Sequence, residues 1–406
     1  MRKVPQLPQE IIANILSRLP VKHLIQLKCV SKPWRSLISD PQFAKLHLKA
    51  QSHNHRVLLL TEPLESAACE ASDDDLEDIK SKLIREHQFP AAMKKTPDSD
   101  ELVDDHDGWF VSGGSCNGLI CVVIGTLIES KRIFIWNPTI REANELAKLS
   151  DFDPKGTFSY GLGYDSSIDD YKVVRIARSS TATASDEAQV EILALKSNIW
   201  RRIQSLQPGI EIKGPMGPEY AGIFLHGALH WLAAITKTGS KTTYAIVAFD
   251  MVNENFYELV PLPDQIEESK YDTLGLGISG DNLCLFCGCG WEDVMEAWLL
   301  KEYGIKSSWT RLFNVDRQRL FEREIEYDEA FYTLYYENVL CYTNSGKLVI
   351  DHDGRALIWH DPKENTFKSF SPENGGGGFT PVIYIESLVS PNSYSATNMQ
   401  TTIHNS

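Results

Sequence analysis

The sequence predicts an α+β chain of two parts, a module of three short helices at the N-terminus and an all-β propeller of six blades behind it. Three observations predict it. Apolar residues recur at helical spacing between Ile11 and Ile38. From Gly108 onward, short β-type runs separated by turn residues dominate. Those runs repeat, with Trp200, Phe256, Trp309 and Phe367 at corresponding positions roughly 55 residues apart, close to the period of four-stranded blades.

The helical module comes first. Its apolar positions are Ile11, Ile12, Ile15, Leu16 and Leu19, then Val21, Leu24, Ile25, Leu27 and Val30, then Trp34, Leu37 and Ile38. Each set is wider than one narrow core stripe. Pro8 suits a first helical position, Pro20 ends the first helix, and Ser31 can cap a third helix that tolerates Pro33 in its first turn. A unit of about 40 residues without disulfides or a metal buries too little apolar surface to be comfortable alone. Part of that surface is expected to meet another surface, either a partner or the rest of this chain.

Residues His55 to Thr61, HRVLLLT, read as a single strand. Glu62 to Asp107 is rich in acids and Ser, with the run Asp73-Asp74-Asp75-Leu76-Glu77-Asp78, and reads as a loop or partly ordered insertion with a solvated surface. Five strand pairs then align by their ends: IFIWNPTIREANEL, VEILALKSNIWRRI, AIVAFDMVNENFYELVPLP, EAWLLKEYGIKSSWTRLF and ALIWHDPKENTFKSF. Other pairs precede them: SYGLGYDSSIDDYKVVRI, GIFLHGALHWLAAI, LGLGISGDNLCLFC and VLCYTNSGKLVID. Radial repetition accounts for such quartets better than a β-sandwich does. The strand near His55 and the terminal VIYIESLVS, around Tyr384 to Ser390, are left over, and pairing them would build a mixed sixth blade that closes the ring.

Composition narrows the function. The chain has 406 residues, 42% apolar and 23% charged, and no apolar run near the roughly 20 residues that span a bilayer. MRKVPQLPQE leads straight into an amphipathic helix, so a soluble, unsecreted protein is expected. Eight cysteines are too sparse and irregular for a disulfide scaffold, which fits a reducing cytoplasm or nucleus. A formal charge of −15 without clustered Lys and Arg argues against nucleic acid and permits a basic protein partner, though long acidic loops alone would give the same number.

Catalytic and metal readings are weak. Gly114-Ser115-Cys116-Asn117-Gly118 mimics a nucleophile elbow, but β-type residues follow where an elbow needs a helix. Cys284, Cys287 and Cys289 form C-x-x-C-x-C without a second ligand pair nearby, inside a run that alternates as a strand. Asp351-His352-Asp353-Gly354 is turn chemistry first, and His226 and His230 read as structural on strands around Gly227. Gly375 to Gly378 reads as a flexible connector. No catalytic residue, metal site or cofactor is predicted.

In an up-and-down blade, the turns between strands one and two and between strands three and four share one face. Those at Asp165 to Asp170, Gly280 to Asn282, Lys196 to Asn198, Val252 to Asn255 and Pro362 to Asn365 are short. The opposite connections, Ser179 to Glu187, Gln207 to Tyr220, Thr236 to Thr243 and Pro263 to Tyr271, are long, and long loops on a rigid scaffold are the usual place for recognition.

Leu7-Pro8, Ile15-Leu16, Arg18-Leu19-Pro20-Val21-Lys22, Lys28-Cys29-Val30-Ser31-Lys32 and Trp34-Arg35-Ser36-Leu37-Ile38 resemble the F-box in order and spacing. The resemblance implies docking on a Skp-type adaptor that joins a cullin scaffold. By position it implies adaptor contacts at Leu7, Pro8, Ile11, Ile12, Ile15, Leu16, Leu19 and Pro20.

Gly114-Ser115-Cys116-Asn117-Gly118-Leu119-Ile120, Trp136-Asn137-Pro138, Gly161-Leu162-Gly163-Tyr164-Asp165, Asp170-Tyr171-Lys172-Val173-Val174 and Gly227-Ala228-Leu229-His230-Trp231 resemble the plant F-box-associated, kelch-like domain. The whole resembles the F-box/kelch-type and S-locus F-box group. That implies an F-box at 1–48, a linker with one strand and an acidic loop at 49–107, a propeller at 108–392 and a disordered tail at 393–406. It also implies a non-catalytic substrate receptor of a ubiquitin ligase, which binds a target protein and neither nucleic acid nor membrane. A propeller enzyme or glycan-binding propeller with an appended helical module is the rival reading.

Overall fold

The computed structural model describes residues 8–50, 55–93, 109–125, 132–149, 156–179, 181–182, 186–213, 219–236, 242–264, 266, 273–289, 294–316, 337–372 and 378–394. The N-terminal module holds four helices, one more than the sequence predicts: Gln9–Leu16, Val21–Leu27, Lys32–Ile38 and Pro41–Ala50. Pro8 and Pro20 stand immediately before the first and second helices, where a missing N–H costs nothing. Ser31 caps the third, its Oγ accepting from Trp34 N at 3.3 Å, with Pro33 in the first turn. The fourth helix reads poorly from periodicity because its buried side chains, Phe43, Ala44 and His47, include a polar one.

Behind the helices, described strands form six four-stranded units. Five are consecutive in sequence. The first runs through Trp109–Cys116, Leu119–Gly125, Arg132–Asn137 and Glu142–Glu145, and the second through Thr157–Asp165, Asp170–Arg178, Gln189–Ala194 and Ile199–Arg202. The next is Glu219–Leu225, Ala228–Ile235, Thr243–Asp250 and Asn255–Pro261, followed by Thr273–Ser279, Asn282–Cys289, Val294–Leu300 and Trp309–Asp316. The last of the five is Glu337–Tyr342, Leu348–His352, Ala356–Asp361 and Thr366–Phe370. These are the sequence-predicted quartets. First strands of neighbouring units meet in parallel at Glu219–Gly222 against Phe158–Gly161 and at Ile278 against Cys341, as inner strands around one axis do.

The sixth unit closes the ring as predicted: Thr380–Ile385 pairs antiparallel with His55–Leu60, register His55 to Ile385. It holds more of the N-terminal segment than the sequence suggests. Glu65–Ala68 and Ile84–Glu86 complete the blade, so 55–93 contributes three strands where a one-strand linker was expected. Buried Arg56 binds them together, donating from Nε to Ser66 Oγ (3.1 Å) and from Nη2 to the carbonyls of Ser66 (2.9 Å) and Leu83 (3.0 Å). The acidic run is also ordered where it is described. Ser72 and Asp75 form a capping box at the helix Asp73–Leu76, and Asp73 accepts from Lys347 Nζ at 2.8 Å. A second difference is the strand Ile210–Lys213 inside the predicted long loop 207–220, paired with Leu232–Ile235. Residues 183–185, 214–218, 237–241 and 267–271 of the long connections, 94–107 of the acidic segment and 395–406 of the predicted tail lie outside the described residues.

The helices do not hang free. Leu388, past the closing strand, is buried in one cluster with Leu16, Val21, Leu24, Ile38, Phe43 and Ala44, and Ile140 packs against it. Fully burying a side chain such as leucine contributes roughly 1.5–3 kcal/mol. Lys45 Nζ pairs with Asp169 Oδ2 at 2.5 Å, and Leu48 packs on the cluster that contains Val389 and Tyr394. Ile140 and Asp169 sit in turns between third and fourth and between first and second strands, so the helices cover the short-turn face of the ring.

Candidate functional site

Two surfaces carry the candidate residues. On the first helix, positions four apart share a side, and the structure sorts them in pairs. Ile12 and Leu16 face inward, Leu16 at 2% exposure in the helical core. Ile11 at 47% and Ile15 at 51% face outward, beside exposed Pro8 and Pro20 and half-buried Leu19. Val30, at 63%, adds a further exposed apolar residue in the turn before the third helix. Of the residues the sequence singles out for adaptor contact, Leu16 is therefore an internal packing residue, and Leu7 lies outside the described residues. Buried His47 supports the arrangement from behind, its Nε2 donating to Leu19 O at 2.9 Å.

The second surface is the ring axis. An open cavity of about 500 Å³ is lined by the inner strands and parts of their neighbours, with Phe110, Leu274, Leu276, Val339 and Val382 on its apolar wall. Asp351, near the end of the second strand of its blade, and Asp353, in the turn that leads to the third, line it on the long-connection side. No sequence signal marked the cavity, because its wall is assembled from strands far apart in the chain.

The chemistry-bearing motifs resolve into packing. Cys116 ends one strand of a hairpin whose turn is Asn117 (φ 55°) and Gly118 (φ 83°), and burial pushes its thiol well up. A Cβ at Gly118 would sit 2.2 Å from Ser387 Oγ, so the close approach of the C-terminal segment requires glycine. Cys284 packs with Phe286 on one side of its sheet and Cys287 with Leu285 on the other, so the C-x-x-C thiols point apart. Burial pushes Cys284 up to about 12.

His226 bonds through Nε2 to Asp281 O at 2.9 Å. His230 is held by Ile223 O at 3.1 Å and Tyr303 Oη at 2.5 Å, and burial pushes its pKa down to about 4. Asp353 and Gly354 have positive φ, and Gly354 N donates to Asp351 Oδ1 at 2.9 Å, the turn chemistry expected there.

Residues 4–46 match the F-box domain model and residues 81–391 match the model of the F-box associated beta propeller domain. The chain is an F-box protein of the F-box associated propeller family. Similar proteins span nearly its full length. The F-box protein CPR1 of Arabidopsis thaliana is 26% identical over 402 residues, covering 94% of this chain and 88% of that protein. An F-box/kelch-repeat protein of the same plant is 28% identical over 395 residues, covering 95% and 96%. Among solved structures, TolB from Acinetobacter baumannii aligns at a TM-score of 0.39 and 9% identity, covering 82% of this chain and 66% of TolB.

Proposed function

We propose that this F-box protein is the substrate-recognition subunit of a Skp-cullin-F-box ubiquitin ligase. Its F-box would dock on a Skp-type adaptor, and through it a cullin, with Ile11 and Ile15 as central contacts and Pro8, Leu19 and Pro20 around them. The observation that carries this reading is the pair of exposed isoleucines on a helix whose other side is already packed. The target would be met on the long-connection face, turned away from the helices. Its contribution is then proximity and orientation, without a catalytic group of its own.

The test replaces Ile11 and Ile15 together by Asp. Because both side chains are exposed, stability should change by no more than about 0.5 kcal/mol per site, while capture by purified adaptor is lost. Undiminished capture by the folded double variant would remove the assigned contact. Leu16→Asp is the contrasting control, since it places a charge in the helical core and should unfold the module itself.

A further inference from the structure

The axial cavity falls within the roughly 300–1,000 Å³ typical of sites that take a small molecule or an inserted side chain. Most of its polar wall is already bonded internally. Ser115 Oγ donates to Ile383 O at 2.5 Å, Thr380 Oγ1 donates to Phe110 O at 2.9 Å, and Ser112 Oγ accepts from Gly114 N at 3.2 Å. Asp353 has Arg355 at 3.6 Å.

Besides Trp231 Nε1, which also lacks a partner among the described residues, Asp351 is the exception. It is nine-tenths buried, at 9% exposure, and only its Oδ1 is engaged, by Gly354 N. Its Oδ2 has no protein partner among the described residues, and the described wall holds no lysine or arginine. A carboxylate this buried without a cation is costly, and a ligand that brings one recovers the interaction. The walls around it ask for an apolar body behind the charge.

We infer that the axial cavity receives a basic side chain of the target, a lysine or arginine set among apolar residues, with its charge against Asp351 Oδ2. The inference rests on the receptor reading above and names its substrate class. A target segment fits better than a free amine for two reasons. Asp351 lies at the long-connection mouth of the cavity, within reach of a side chain inserted from outside. The formal charge of −15 also draws a basic segment toward the protein over a distance.

The experiment uses the full chain bound to its adaptor and reads fluorescence polarisation of a labelled apolar pentapeptide with a central lysine. The lysine peptide should bind at least about tenfold more tightly than the same peptide with norleucine, since norleucine leaves the buried carboxylate unpaired. Asp351→Asn keeps an acceptor for Gly354 N, so it should fold and lose that preference. Asp353→Asn should retain it.

Equal binding of the two peptides by the parent protein, or a lysine preference that survives Asp351→Asn, would overturn the inference. So would competition by hexylamine as strong as that of the unlabelled lysine peptide, which would make this a site for a free amine. Failure of the parent to capture adaptor is scored separately by the pull-down and counts against the receptor reading alone.

Discussion

On the short-turn face, neighbouring blades are joined by charged and polar clamps. Lys172, 3% exposed, donates to Asp165 Oδ2 (2.5 Å) and Met251 O (2.9 Å) and pairs with Glu254 Oε1 (2.7 Å) of the next blade. Glu254 also holds Arg201. Lys347 ties Asp73 to Asp361 across the closing seam, where Glu70 accepts from the backbone of Asn344 and Ser345. The segment 386–394 crosses this face beneath the helices, with buried Asn137 donating from Nδ2 to Val389 O at 2.8 Å and Tyr394 edge-on to Tyr171 at 4.9 Å. The long-connection face instead leaves Asp351 with one hydrogen bond and no cation among the described residues. The strand Leu348–His352 thus begins beside Lys347, whose charge is satisfied, and carries near its other end Asp351, whose charge is not. A fold needs the first kind, whereas binding has a use for the second.

The most severe way to break this comparison is to remove what both faces depend on. Deleting 379–406 takes away the closing strand and Leu388, exposing a blade edge and the helical core together. The truncated protein should aggregate, and limited proteolysis should cut throughout the ring. A soluble truncation with an unchanged melting profile would mean that closure contributes nothing.

A milder variant probes the clamped side alone. Lys172→Met strands buried Asp165 beside Glu254 and should lower the free energy of unfolding by about 3–5 kcal/mol, read from denaturant midpoints. A loss below about 1 kcal/mol would place this clamp among surface pairs of little weight.

The smallest effect carries the opposite sign. Burial pushes Asp351 up to about 7, against about 4 for an unfolded chain. With the folded value raised, the group's contribution is fully present below about pH 4 and is lost as pH rises through about 7. Asp351→Asn should therefore gain on the parent across that window and be more stable at pH 8, by on the order of 2 kcal/mol. A difference independent of pH would show that the carboxylate is already paired.

How much of this was legible depended on whether the signal was local. Hairpins such as Asp165–Asp170 and Val252–Asn255 announce themselves by turn residues between alternating strands, so the quartets and the ring could be read directly. The exposed pair Ile11 and Ile15 was legible as apolar residues on a helix, but Leu16 was not separable from them, because its burial depends on Phe43, Ile38 and Leu388. Glu65–Ala68 and Ile84–Glu86 are strands only because His55–Leu60 offers an edge and Arg56 an anchor, and ESAA and IRE carry no alternation of their own. Asp351 read as a turn residue, but it lies in the strand Leu348–His352 and reaches the turn only through its side chain. Its second oxygen became significant only once strands from the other end of the chain had closed a cavity around it.

Ring closure also sets an order of events during synthesis. His55–Leu60 must wait for Thr380–Ile385, and at roughly 5–20 residues per second that partner emerges about 15–65 s later. Through that interval Val57 and Leu59, fully buried in the finished ring, lack the strand that covers their edge. The N-terminal blade is thus the first made and the last completed, and each nascent chain passes through a period in which holdase chaperones have an apolar strand to bind.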